Sequence, residues 1–180
     1  MTSLGIFGSW RTPEQDQDYK LAYSIAKISV RNGMRVLNGG YTGIMEAASR
    51  GANDNSGIAI GYTWKGLDKL LSPNSYLSKN KSFNTNVARI GALIDDADIC
   101  VFFPGRTGSI AELALAVEKR AKGEMKYPLY LAGDYWLDFF KFRSQSNAKL
   151  SYESDKPGGP EIYKVINTPE EYEQSIKDLS

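Results

Sequence analysis

The stretch Ala97-Asp98-Ile99-Cys100-Val101-Phe102-Phe103-Pro104-Gly105-Arg106-Thr107-Gly108-Ser109 decides the class of fold. Its first seven residues are the most apolar run in the chain and read as a buried central strand. Pro104 to Gly108 is a glycine-rich loop. Ser109 opens a long helix that runs to Lys122, with Leu113, Ala116, Val117 and Arg120 spaced along it. A continuously apolar strand that turns through glycine into a helix is the repeating unit of a parallel sheet covered on both faces.

The same unit recurs outward from that stretch. Leu4 to Gly8 is a short apolar strand, and Thr12-Pro13-Glu14-Gln15 has the form of a capping box with proline at the first helical position. The helix that follows shows Leu21, Ile25, Ile28 and Val30 and stops at Asn32-Gly33. Arg35 to Asn38 reads as a second strand, Ile44 to Arg50 as a short helix closed by Gly51, and Gly57 to Gly61 as a third strand. Residues 62–82 are poorly periodic and read as a long connection with a small strand near Tyr76. Long connections in a compact domain are more often functional than neutral. A helix over Asn86–Ile94 precedes the central strand. After the long helix come a strand over Tyr127–Ala132, a short helix over 135–142, a polar loop over 143–160, a strand over Ile162–Val165 and a last helix capped at Thr168-Pro169-Glu170-Glu171. The pattern predicts an α/β, Rossmann-like three-layer sandwich with a mostly parallel central sheet, spanning 1–180 as one domain.

Composition removes several chemistries. The 180 residues include no histidine, which excludes Ser-His-Asp and Cys-His catalysis and any His-ligated metal. Cys100 is the one cysteine, so there is no disulfide within the chain and no Cys cluster for zinc or iron–sulfur. A lone cysteine suits a reducing compartment. With 22 basic and 21 acidic residues the net charge is +1, which gives no electrostatic footprint for nucleic acid or an anionic membrane. Met1 to Ser9 lacks the basic start of a signal peptide. No apolar run approaches the roughly 20 residues of a membrane helix. The expected setting is the cytoplasm, with neither metal nor organic cofactor.

In sheets of this kind ligands sit beyond the carboxyl ends of the strands. Three glycine-rich loops fall there: Gly8-Ser9, Gly39-Gly40-Tyr41-Thr42-Gly43, and Pro104 to Ser109. A glycine loop that feeds a helix N-terminus presents free backbone N–H groups and the positive end of the helix dipole, which together cradle a phosphate. Thr42, Thr107 and Ser109 add hydroxyls. Any one such loop can be just a tight corner; three on one edge point to a ligand. The spacings G-x-G-x-x-G and G-x-x-x-x-G-K-[ST] are both missing, and Asn38 stands where a dinucleotide site would carry an acid. A mononucleotide or ribose phosphate is expected rather than NAD or ATP.

Gly39-Gly40-Tyr41-Thr42-Gly43-Ile44-Met45 resembles the GGG-x-x-G-(L/I)-M stretch of the LOG ("Lonely Guy") family, and Pro104 to Glu112 resembles that family's P-G-G-x-G-T-x-x-E signature. Arg89 falls on the helix where the family carries its arginine. The resemblance implies a phosphoribohydrolase that splits nucleoside 5′-monophosphates, with Arg89 and Glu112 as catalytic residues. Gly8, Ser9, Gly39, Gly40, Thr42, Gly43, Gly105, Arg106, Thr107, Gly108 and Ser109 would hold the nucleotide. The chain is similar as well to molybdenum-cofactor carrier proteins, which share the scaffold and bind without hydrolysis. It departs from the LOG pattern at Arg106 (a glycine there), Ser109 (threonine), Ile90 (lysine) and Ala111 (an acid).

Read from the residues alone, Glu112 is equally the N3 member of a capping box that begins at Ser109. Asp95, Asp96 and Asp98 read as a solvated helix end, and Cys100 as a small buried residue. Trp10, Tyr41 and Trp64 fall on ligand-edge loops, where one can stack on a base. The two helices that carry Arg89 and Glu112 are apolar over more than one face, with Leu115 and Val117 on either side of Ala116. That pattern predicts a homodimer or higher even oligomer through these helices. The leading expectation is hydrolysis of the N-glycosidic bond of a purine nucleoside 5′-monophosphate. The alternative is a non-catalytic carrier or sensor of a nucleotide-like ligand such as molybdenum cofactor.

Overall fold

A computed structural model describes residues 1–138, 140 and 161–179. Twelve elements alternate: β1 (Ser3–Phe7), α1 (Gln17–Arg31), β2 (Arg35–Asn38), α2 (Ile44–Asn53), β3 (Ala59–Trp64), β4 (Lys79–Phe83), α3 (Asn86–Asp95), β5 (Ile99–Phe102), α4 (Thr107–Ala121), β6 (Leu129–Ala132), β7 (Tyr163–Ile166) and α5 (Pro169–Lys177). The strands form one seven-stranded sheet in the order β4-β3-β2-β1-β5-β6-β7, and every pairing is parallel. Strand order reverses between β1 and β5, so their carboxyl ends open a crevice there.

Alternation along the buried strands builds two cores. Leu4, Ile6, Val36, Ile99 and Val101 face α1, α2 and α5, where Ile25, Ala48 and Tyr172 meet them. Phe7, Leu37, Cys100 and Phe102 face α3 and α4, against Ile90, Leu93, Leu113 and Ala116. Three layers result, as the apolar strands predict.

Several boundaries differ from the sequence reading. α1 starts later than the Thr12 box implies, because the Asp16 carboxylate caps it by accepting from Asp18 N at 2.8 Å. α2 continues past Gly51, where a side chain would collide with the backbone of Tyr23 in α1. In place of a small strand near Tyr76, β4 lies at Lys79–Phe83. It is the sheet edge, and its lysine-rich, exposed sequence carries no apolar run to betray it. α4 begins at Thr107, so Glu112 lies in its second turn and is no capping-box member. Val117 and Leu113 share the core face of α4, while Leu115 stays 37% exposed. The predicted loop over 143–160 and part of the predicted helix over 135–142 lie outside the described residues. No described helix is long and apolar enough to cross a membrane.

Candidate functional site

The crevice at the β1/β5 switch holds a cleft of about 260 Å³. The three glycine loops are tied around it by main-chain bonds. Ser9 N donates to Pro104 O at 3.1 Å, and Ile44 N donates to Ser9 O at 3.0 Å. Gly8, Ser9, Gly39, Arg89, Arg106, Thr107, Gly108, Ser109 and Glu112 all line the cleft.

The other predicted residues stand behind its wall. Gly40 donates its N–H to Asn38 Oδ1 at 2.8 Å, in a buried network with Ser49 and Asn74. Thr42 Oγ1 donates to Trp10 O at 2.8 Å. Gly43 is the residue before α2. Its φ of +65° and the closeness of the Ser9–Trp10 backbone leave no room for a side chain. Gly105 lies under Ser109, and its carbonyl accepts from Tyr135 OH at 3.0 Å. These four shape the loops instead of lining the cleft.

One side of the cleft is the N-terminal end of α4. α4 has no side-chain cap and no acid in its first turn. Its first intrahelical bond in this turn runs from Ile110 N to Arg106 O, so helix geometry leaves the N–H groups of Thr107, Gly108 and Ser109 without intrahelical acceptors. The residue Ser109 is 5% exposed, and its hydroxyl has no hydrogen-bond partner among the described residues. Arg106, exposed and without an acid partner among those residues, stands at the same helix end. A cation there opposes the helix dipole unless an anion lies between them.

Beside this end stand Arg89 and Glu112. Arg89 Nη1 and Glu112 Oε1 are 3.3 Å apart, with side chains 11% and 8% exposed. The guanidinium is fixed by donating from Nε to Tyr62 O at 2.7 Å and from Nη1 to Asn86 Oδ1 at 3.2 Å. It lies so close over Gly39 that any Cβ there would collide with Nη2. Burial pushes the Glu112 carboxyl above its ordinary range, opposed by the Arg89 charge. Glu112 Oε2 makes no hydrogen bond among the described residues.

The other side of the cleft is apolar and aromatic: Ile6, Phe7, Trp10, Tyr41, Met45, Trp64 and Leu67. Asn86, Met45 and Leu67 were not singled out in the sequence. Asn86 stands three residues before Arg89, the helical spacing at which side chains meet, and that spacing is the signal that points to it. Leu67 comes from the aperiodic connection and carries no such signal. Cys100 is fully buried, with its thiol pushed up by desolvation. No group of three or more potential metal ligands occurs among the described residues.

A family model described as the SLOG cluster4 family matches residues 1–127. An uncharacterized protein of Archaeoglobus fulgidus is 24% identical over 134 residues, 74% of this chain and 85% of its own length. Among solved structures, the molybdenum cofactor binding protein of the phototrophic bacterium Rippkaea orientalis is 22% identical, with a TM-score of 0.75 over 99% of this chain and 96% of that one. The molybdenum cofactor carrier protein of Chlamydomonas reinhardtii is 18% identical, with a TM-score of 0.71 over 99% and 98%. These structural likenesses are likenesses of fold.

Proposed function

The chain belongs to the SLOG cluster4 family, and from that premise we propose that its cleft binds a phosphorylated, nucleotide-like small molecule, as a carrier or sensor that does not turn its ligand over. The observation that carries this reading is the uncapped start of α4, open to the cleft with the unpartnered hydroxyl of Ser109. Backbone N–H groups, a hydroxyl and the Arg106 guanidinium together match a phosphate. Carrier function is favoured over chemistry because Arg89 engages Glu112 and is itself held by Tyr62 and Asn86. Molybdenum cofactor, which the fold neighbours are named for binding, is the first cargo to test. With no histidine and its cysteine buried, the chain would offer such a cargo contacts to phosphate and ring, and no imidazole or thiolate for the metal.

One observation favours a second reading. The free Oε2 of Glu112, on a carboxyl raised by burial, suits acid–base work at the ribose. Water would add its hydroxyl to the anomeric carbon as the bond to the base nitrogen breaks and the base takes the proton. Purine base and ribose 5-phosphate would leave. Incubation with AMP, GMP and IMP, followed by chromatography for free base beside calorimetric binding, separates the two. Binding without base release supports the carrier, base release supports the hydrolase, and neither outcome sinks both.

The reading includes pairing of two copies across α3 and α4. Val87, Ala88, Ile110, Ala111, Ala114 and Leu115 are exposed on these helices, flanked on α4 by the exposed Arg106 and Glu118. Such a face suits a two-fold interface.

A further inference from the structure

Four aromatic residues line the cleft: Phe7, stacked on Phe102 in the core, and Tyr41, Trp10 and Trp64, whose restraints differ. Tyr41 is 1% exposed, and its hydroxyl is fully engaged. It donates to Asp68 Oδ1 at 2.9 Å and accepts from Trp64 N at 2.9 Å. Burial pushes its pKa up to about 12, so it stays a donor. Trp10 is 42% exposed. The Arg11 guanidinium carbon lies 4.6 Å from its ring centroid and takes one face, and its indole N–H has no acceptor among the described residues.

Trp64 is held at its indole N–H, at its ring and along its backbone. Its indole N–H donates to Asn84 O at 3.2 Å. Its ring is backed by Gly66, where a side chain would collide with the indole. Its backbone N–H is held by Tyr41 OH, and its carbonyl starts the turn that presents Leu67, accepting from Leu67 N at 2.8 Å and Asp68 N at 3.0 Å. Asn74 closes this segment onto the glycine loop, donating from Nδ2 to Tyr41 O at 2.9 Å. An aromatic plate fixed before the ligand arrives loses little entropy on binding.

We propose that Trp64 is the specificity-determining residue of the cleft, the plate on which a fused nitrogen heterocycle, purine or pterin, stacks while the phosphate of the same ligand lies at the start of α4. Tyr41 is its positioning residue. The assignment rests on the phosphate-binding reading above, and it explains why the aperiodic connection after β3 is long and densely hydrogen-bonded. The heterocycle has an aromatic face, and the neighbouring Met45 and Leu67 give the same end of the cleft an apolar lining.

The test is calorimetric titration of the intact protein with AMP, a pterin monophosphate and ribose 5-phosphate. Trp64→Ala is expected to weaken the heterocyclic ligand by about tenfold, inside the range for base–aromatic stacking. Ribose 5-phosphate binding should not change. Trp64→Phe, which keeps a stacking face, should retain most of the affinity and guards against a folding artefact. Tyr41→Phe should weaken only the heterocyclic ligand and shift the Trp64 fluorescence. A wild-type preference for AMP assigns purine, and the opposite preference assigns pterin. Equal binding of AMP, the pterin and ribose 5-phosphate by the wild type overturns the stacking plate and leaves the phosphate site standing. Equal losses for all three ligands in the Trp64 variants also overturn it. No binding of any of the three overturns both.

Discussion

Arg89 Nη1 lies 3.3 Å from Glu112 Oε1, joining α3 to α4 across the cleft in a pair that water scarcely reaches. Removing one member leaves the other charged in a poorly solvated place. Arg89→Ala is expected to destabilise the fold by about 3 kcal/mol, the scale for breaking a buried pair. Urea unfolding measures it, and a change near zero would mean the pair is held by water instead.

Glu112→Gln keeps an acceptor for Arg89 and removes the titration. Burial raises the Glu112 pKa in the folded chain above its unfolded value, so the native state holds this proton more tightly. The stability that follows is complete below the unfolded pKa, about 4.3, and is lost as pH rises through the folded value. Wild-type stability should therefore fall relative to Glu112→Gln as pH climbs from about 4.3 toward neutrality. Parallel pH profiles for the two chains would refute the raised carboxyl.

A Cβ on Gly108 would meet no atom within 4 Å, and the residue sits in the first turn of α4. Gly108→Val should fold with a stability change of about 1 kcal/mol or less. Its side chain would nonetheless stand over the free N–H groups. Affinity for AMP should drop at least about tenfold, a 1.4 kcal/mol loss. Unchanged affinity in the folded variant would move the phosphate elsewhere.

Light scattering should give about 40 kDa, twice the 20.0 kDa chain, if two copies close over α3 and α4. Leu115→Glu on the exposed face should return the single-chain mass. A concentration-independent 20.0 kDa wild type would rule out pairing.

Cys100 is buried at the centre of the sheet, and desolvation pushes its thiol well above the ordinary range. The native protein should not react with a thiol reagent at neutral pH, while the denatured chain should react fully. Rapid native labelling would show that β5 opens.

Much of the fold was legible because buried strands are continuous apolar runs. β1, β2 and β5 need nothing beyond their own residues to be seen. β4 was not, since an edge strand made of Lys79, Asn80, Lys81 and Ser82 is defined by its pairing with β3. That Arg106 to Ser109 would line the cleft was legible because three glycine loops fall on one sheet edge, where a single loop could have been only a tight corner. The double reading of Glu112 was not resolvable there. Whether it caps α4 depends on where the helix starts, and the N-cap at Arg106 instead of Ser109 decides it. Trp64 was visible as an aromatic on an edge loop, but its restraint comes from Tyr41, Gly66 and Asn84, which are distant or silent in sequence.

The bare backbone of Gly39 beneath the Arg89 guanidinium has a consequence for inheritance. Two positions separated by fifty residues are bound to one another as a single heritable trait. A lineage that acquires even alanine at position 39 must surrender the arginine or move it, and with it the partner of Glu112. A lineage that trades the arginine for a shorter side chain removes that obstacle and leaves the Met45 sulfur as the remaining one. Among descendants of this chain an arginine held in this place should travel with glycine at position 39.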